Sequence, residues 1–104
     1  MTPRRAARVD STQAAIVEAL RAAGASVIVL SSVGQGCPDI LCGYNPGLSI
    51  ELDGDVIPIE LNILMEIKSD TGKLTPDQVE WHAAWRGQVA IVRSVEEALQ
   101  VIGR

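Results

Sequence analysis

The stretch IELNILMEIK, residues 59–68, decides how this chain folds. Its odd positions, Ile59, Leu61, Ile63, Met65 and Ile67, are all apolar, and its even positions Glu60, Asn62, Glu66 and Lys68 are polar, with Leu64 the exception. Alternation with period two puts successive side chains on opposite faces of an extended chain, so the stretch predicts a β-strand. Upstream, Asp53-Gly54 sits between two apolar runs, the spacing of a two-residue hairpin turn. Leu48–Leu52 is then the outgoing strand, and the return strand starts at Asp55 and reaches Lys68.

Working outward toward the N-terminus, Asn45-Pro46-Gly47 is a turn and Asp39–Gly43 a strand, with Gly34-Gln35-Gly36 breaking the chain before it. Ser26–Ser31 is short, β-branched and apolar, and predicts another strand. Thr12–Ala23 carries Ala15, Ile16, Ala19, Leu20 and Ala23 at spacings of three and four, which predicts a helix that stops at Gly24. Toward the C-terminus, Ser69–Lys73 is a polar loop. Thr75 then caps a helix with Pro76 at its first position, running to Arg86 and ending at Gly87. Gln88–Val92 is a strand, and Ser94 caps a last helix carrying Val95, Ala98, Leu99 and Ile102. The expected order is α-β-β-β-α-β-α with a β-hairpin extension. It forms one domain over residues 10–104, preceded by a basic flexible arm over residues 1–9.

Composition agrees with one soluble α/β domain. The chain has 104 residues, 47% hydrophobic and 21% charged, which excludes a disordered chain. No apolar run approaches the roughly 18 residues of a membrane span, and the N-terminal arginines are not followed by the apolar segment of a secretion signal. Cys37 and Cys42 make no disulfide framework, and with His82 as the one histidine no zinc site is spelled out. The net charge of −4 excludes a protein that coats nucleic acid by bulk electrostatics. It does not exclude a nuclease, because carboxylates that hold a cation count as negative while the bound ion reverses the local sign.

The chemistry-bearing residues fall at strand ends. Glu66 and Lys68 are two apart in a strand and leave the same face, about 7 Å apart at Cα. If Asp39 opens the neighbouring strand, two carboxylates and an ammonium converge at one sheet edge. Such oxygen ligands suit Mg²⁺, which takes one or two carboxylates and keeps several waters. Each residue also has a plainer reading. Asp39 is a turn residue after Pro38, and Glu66 with Lys68 is a solvated charge pair; a strand this apolar belongs in the centre of a sheet, where an unpaired charge is costly. Gln78, His82 and Trp85 share a helix face that either serves the site or packs the Trp81 and Trp85 side onto the sheet. Lys73 is a solvated loop charge or a phosphate contact. Gly34, Gln35 and Gly36 form a turn or let the backbone approach DNA. Arg4, Arg5 and Arg8 are a tail or a DNA contact.

GQGCPD (34–39), MEIK (65–68), KLTPDQVEWH (73–82) and GQVAIV (87–92) together resemble the small phage-type VRR-NUC nucleases of the PD-(D/E)XK superfamily, over roughly residues 8–102. The element order is also similar to that of Holliday-junction resolvases. The resemblance implies a restriction-endonuclease-like fold, a central mixed sheet flanked by helices. It implies a metal-dependent endonuclease acting on branched or structured DNA in the cytoplasm of a bacterial or phage-infected cell. Asp39, Glu66 and the backbone carbonyl of Ile67 would hold Mg²⁺, with Mn²⁺ as a substitute. Lys68 would be the catalytic lysine and Gln78 a supporting residue. In the first helix, where such proteins carry an acid, this chain has Gln13, with Glu18 a turn further on. The alternative is a catalytically weak nucleic-acid-binding or assembly module that keeps the fold.

The extension predicts a partner. Leu48, Ile50, Leu52, Val56, Ile57, Ile59 and Leu61 are more apolar surface than an exposed two-stranded ribbon should carry, and the mean hydropathy is positive at +0.19. A homodimer would bury it. The competing expectation is a monomer whose hairpin folds back on its own sheet.

Overall fold

The computed structural model describes residues 3–104, with side-chain surroundings from residue 11 onward. It is a mixed α/β domain with helices α1 (Pro3–Ala22), α2 (Pro76–Ala84) and α3 (Val95–Val101) and strands β1 (Ser26–Val29), β2 (Ile40–Tyr44), β3 (Ser49–Leu52), β4 (Asp55–Pro58), β5 (Leu61–Ile67) and β6 (Val89–Val92). The helix start expected near Thr12 lies inside α1. The side chains of the arm, Arg4, Arg5 and Arg8 included, fall outside the described residues.

β1, β2, β5 and β6 form one sheet in that order. β1–β2 and β2–β5 are antiparallel, whereas β5–β6 is parallel and crosses over through α2. The apolar stripe of α1, with Ile16 and Leu20, packs with Ala98 and Ile102 of the C-terminal helical segment on one sheet face. There they meet Ile40, Cys42, Ile63, Met65, Ile67 and Val92. Removing these side chains from water at about 25 cal/mol per Å² is the main force holding the layers together.

One expectation about the 59–68 stretch is corrected. The return strand is not continuous. It breaks at residues 59–60, so β4 pairs only with β3 in a separate two-stranded sheet. Pro58 stands at the break and has no N–H for a ladder, while Ile59 still donates to the Leu48 carbonyl at 2.9 Å, so the hairpin pairing extends one step past β4. The even positions divide, with Glu60 and Asn62 exposed and the later ones enclosed. Leu64 and Glu66 are 8% and 2% exposed, so the end of β5 is buried on both sides, as expected of a strand with neighbours at both edges and helices on both faces.

α2 covers the second face lightly. It is held by a capping box, in which Gln78 N–H donates to Thr75 Oγ1 at 3.3 Å and Thr75 N–H to Gln78 Oε1 at 2.9 Å. Yet it contains no buried residue. It ends at Ala84 with Trp85 as C-cap, two residues short of the expected reach. Among the described residues no helix is long and apolar enough to cross a membrane.

Candidate active site

The antiparallel register of β2 and β5, with Ile40 beside Met65, brings the start of one strand to the end of the other. Asp39 is stitched there twice. Its N–H donates to the Met65 carbonyl at 3.0 Å, and its Oδ2 accepts the Ile67 N–H at 2.7 Å. The carboxylate therefore takes the place of a backbone acceptor at the end of the ladder. N–H and C=O of one strand residue leave on the same side, so the Ile67 carbonyl points to the edge where the Asp39 carboxylate lies. Lys68 follows as a half-buried residue whose N–H still bonds the Val92 carbonyl at 3.0 Å, extending the parallel ladder one step beyond β5.

Glu66 is the one charged residue among the buried side chains described, 2% exposed, and its Oε1 has no hydrogen-bond partner. Burial above all, then a hydrogen bond that the protonated carboxyl donates to Asp39 and the negative charge of Asp39, push its carboxyl up to about 8 from the ordinary 4.5, with the Lys68 ammonium opposing. Without a cation, Glu66 thus holds a proton at neutral pH beside the Asp39 carboxylate. Oε1 faces His82 Nε2 at 3.9 Å, too far for a hydrogen bond, and that nitrogen is also buried and unpartnered. Burial and the Lys68 charge lower the imidazole's proton affinity, so His82 is neutral.

Two adjacent carboxyl groups, one of them buried and reluctant to ionise, fit a divalent cation, whose charge would offset what burial costs. The donors suited to it are Asp39, Glu66 and the Ile67 carbonyl, hard oxygens of the kind Mg²⁺ and Mn²⁺ take. Among the described residues, no three His, Cys, Asp or Glu side chains are grouped to hold an ion. A bound ion would therefore complete its shell with backbone oxygen and water.

The other expected residues are distributed around this point. Gln78 is one turn before His82, with its carbonyl oxygen engaged on Thr75 N–H. Gln13 Oε1 accepts from Ser31 Oγ at 3.3 Å, beyond the end of β1, and Glu18 is exposed in a surface groove with Gln13, Arg21 and Val29. Lys73 is exposed on the loop after Lys68. Gly34, Gln35 and Gly36 all have positive φ, at 74°, 57° and 83°. Gly36 has a packing reason for it, since a Cβ there would overlap the Asp77 carbonyl of α2 and stand 3.1 Å from Trp81 Cβ.

His82, weighed in the sequence only as part of a helix face shared with Gln78, stands beside Glu66. Two further residues escaped the sequence reading. Cys37 lies close enough to Glu66 and Asp39 that, after burial, their charges raise its thiol pKa, which favours the neutral thiol. Arg93, next after β6, donates from Nη1 to the carbonyls of Ser69 at 2.6 Å and Gly72 at 2.7 Å, which clamps the loop that follows Lys68.

No protein-family model matches the chain, and no curated protein or solved structure matches it either.

Proposed function

We propose that the chain is a divalent-metal-dependent endonuclease of restriction-endonuclease-like fold, hydrolysing phosphodiester bonds in branched or structured DNA, and similar to the VRR-NUC nucleases. The observation that carries this reading is the pairing of Asp39 with a buried, partly unsatisfied Glu66 at the junction of β2 and β5, one step from Lys68. A bound cation supplies positive charge opposite the scissile phosphate and a more acidic water. Asp39 and Glu66 hold it, with the Ile67 carbonyl. The Lys68 ammonium orients the attacking water and counters charge on the phosphate. Gln78 supports the site from α2. In-line attack leaves a 5′-phosphate and a 3′-hydroxyl.

A nucleic-acid-binding or assembly module without efficient cleavage is the second reading, motivated by Gln13, engaged with Ser31, where an acid is expected. Incubation with duplex, flap and four-way-junction DNA in Mg²⁺, Mn²⁺ or EDTA separates the two. Metal-dependent cleavage that prefers a branched substrate supports the nuclease. Binding without cleavage supports the module, and neither binding nor cleavage at low salt overturns both.

The same reading includes a homodimer. Leu48, Ile50, Leu52 and Ile57 on one side of the hairpin are 60%, 50%, 56% and 40% exposed. Two copies joined through that apolar side would hold two sites at a fixed separation, which suits paired cuts in a symmetric substrate.

A further inference from the structure

Glu66 and His82 pose a problem that packing alone does not solve. Both are withdrawn from water, at 2% and 13% side-chain exposure, and each aims one unpartnered polar atom at the other across 3.9 Å. A leucine at position 82 would cover Glu66 without stranding a polar nitrogen. The imidazole is also held in place. Its neighbour Trp81 meets it edge-on at 5.8 Å between ring centroids and stacks on Trp85 at 4.8 Å. Beneath Trp81 the Gly36 backbone lies so close to α2 that no side chain fits between them.

We infer that His82 is the positioning residue of Glu66: its Nε2–H turns onto Oε1 and fixes the carboxylate, leaving the second oxygen on the Asp39 side for a divalent cation. The inference rests on the metal-dependent reading above. A neutral imidazole has one donor and one acceptor nitrogen, and this geometry requires the donor at Nε2. The Asp39 hydrogen bond falls to the other Glu66 oxygen, since Oε1 has no partner. Ligating carboxylates are commonly held this way by an outer hydrogen bond, whose loss lowers metal affinity about 10–100-fold.

Because His82 is the one histidine in the chain, the imidazole region of a ¹H–¹⁵N spectrum of the untagged protein contains a single ring. The expected result is the Nε2–H tautomer, with shifts that move on addition of Mg²⁺. Calorimetry with Mn²⁺ provides the second readout. His82→Leu should bind about 10–100-fold more weakly than wild type, while His82→Gln, which keeps an N–H donor at similar reach, should stay within a few-fold. The Nδ1–H tautomer, or His82→Leu binding Mn²⁺ as tightly as wild type, overturns the positioning role and leaves the nuclease reading standing. Wild type that binds no Mn²⁺ overturns that reading and this inference with it. The tautomer is read on the unmodified chain, so it decides the matter even if His82→Leu does not fold.

Discussion

Strand β5 and the β3–β4 hairpin are built from much the same residue types and end in opposite surroundings. From Ile63 to Ile67 every residue of β5 is buried, a glutamate included, whereas every residue of β3 and β4 is exposed. Ile50, Leu52, Val56 and Ile57 are no more polar than Ile63, Leu64, Met65 and Ile67. The difference lies in what surrounds each ribbon. β5 has β2 and β6 on its edges and helical cover on its faces, and the hairpin has only itself. Apolar content sets how much surface a segment can bury, while topology decides whether anything is there to bury it against.

The sharpest way to break the comparison is through its polar members. Asp39→Ala, Glu66→Ala and Lys68→Ala should each lower the DNA cleavage rate by about 10³-fold or more, whereas Glu51→Ala on the hairpin should leave it unchanged. A Lys68→Ala variant cleaving at the wild-type rate would remove the lysine from the mechanism. Next come the apolar members. Met65→Ala should cost about 2–5 kcal/mol in denaturant unfolding, and Val56→Ala, 70% exposed in the wild type, should stay within about 0.5 kcal/mol. Equal losses would mean that the hairpin is buried in solution.

Acidity sharpens the contrast further. In the unfolded chain Glu66 titrates at its ordinary 4.5 and in the fold at about 8, so across that window the folded state binds the additional proton. The stabilisation from that proton is fully present below pH 4.5 and is lost as pH rises through about 8. Thermal melts of the cation-free protein should therefore show stability falling over this interval. Glu66→Gln should flatten the profile, and an unchanged slope would place the titration elsewhere. The smallest effect on fold stability belongs to Ile57→Asp. It should leave the melting transition in place while reducing the mass seen by light scattering from twice 11.1 kDa to the single-chain value. A wild type already at 11.1 kDa sinks the homodimer.

Much of this division is visible in the residues. Period two in 61–67, Thr75-Pro76 before the second helix and Ser94 before the third reflect local backbone chemistry, and those elements start or run where expected, the break at 59–60 apart. The meeting of Asp39 with Glu66 also follows from local signals, since two strands flanking a hairpin extension tend to pair antiparallel. Other features depend on the tertiary structure. Pro58 is a visible reason for a strand to break, but whether the alternation resumes in the same sheet depends on which neighbours are at hand. Leu64, apolar among polar even positions, was the one sign that the second face of β5 is covered. Nothing near Gly36 in sequence reveals its approach to Asp77, forty-one positions away (77 minus 36). The pairing of His82 with Glu66 depends in the same way on how α2 lies across the sheet.

That placement of α2 has a consequence for how the candidate site breathes. No residue of the helix is fully buried, and it is tied down at a few points: the Thr75–Gln78 cap, the loop before it that Arg93 clamps at Ser69 and Gly72, and the contact with Gly36. Segments with so little buried apolar contact open at a small fraction of the global unfolding free energy. Amide hydrogens of α2 should accordingly exchange with solvent well before those of β5, which lies between two hydrogen-bonded neighbours. Each such opening would bare Glu66 while the rest of the sheet stays closed, so water and ions reach the least accessible carboxylate among the described residues by a local fluctuation of one short helix.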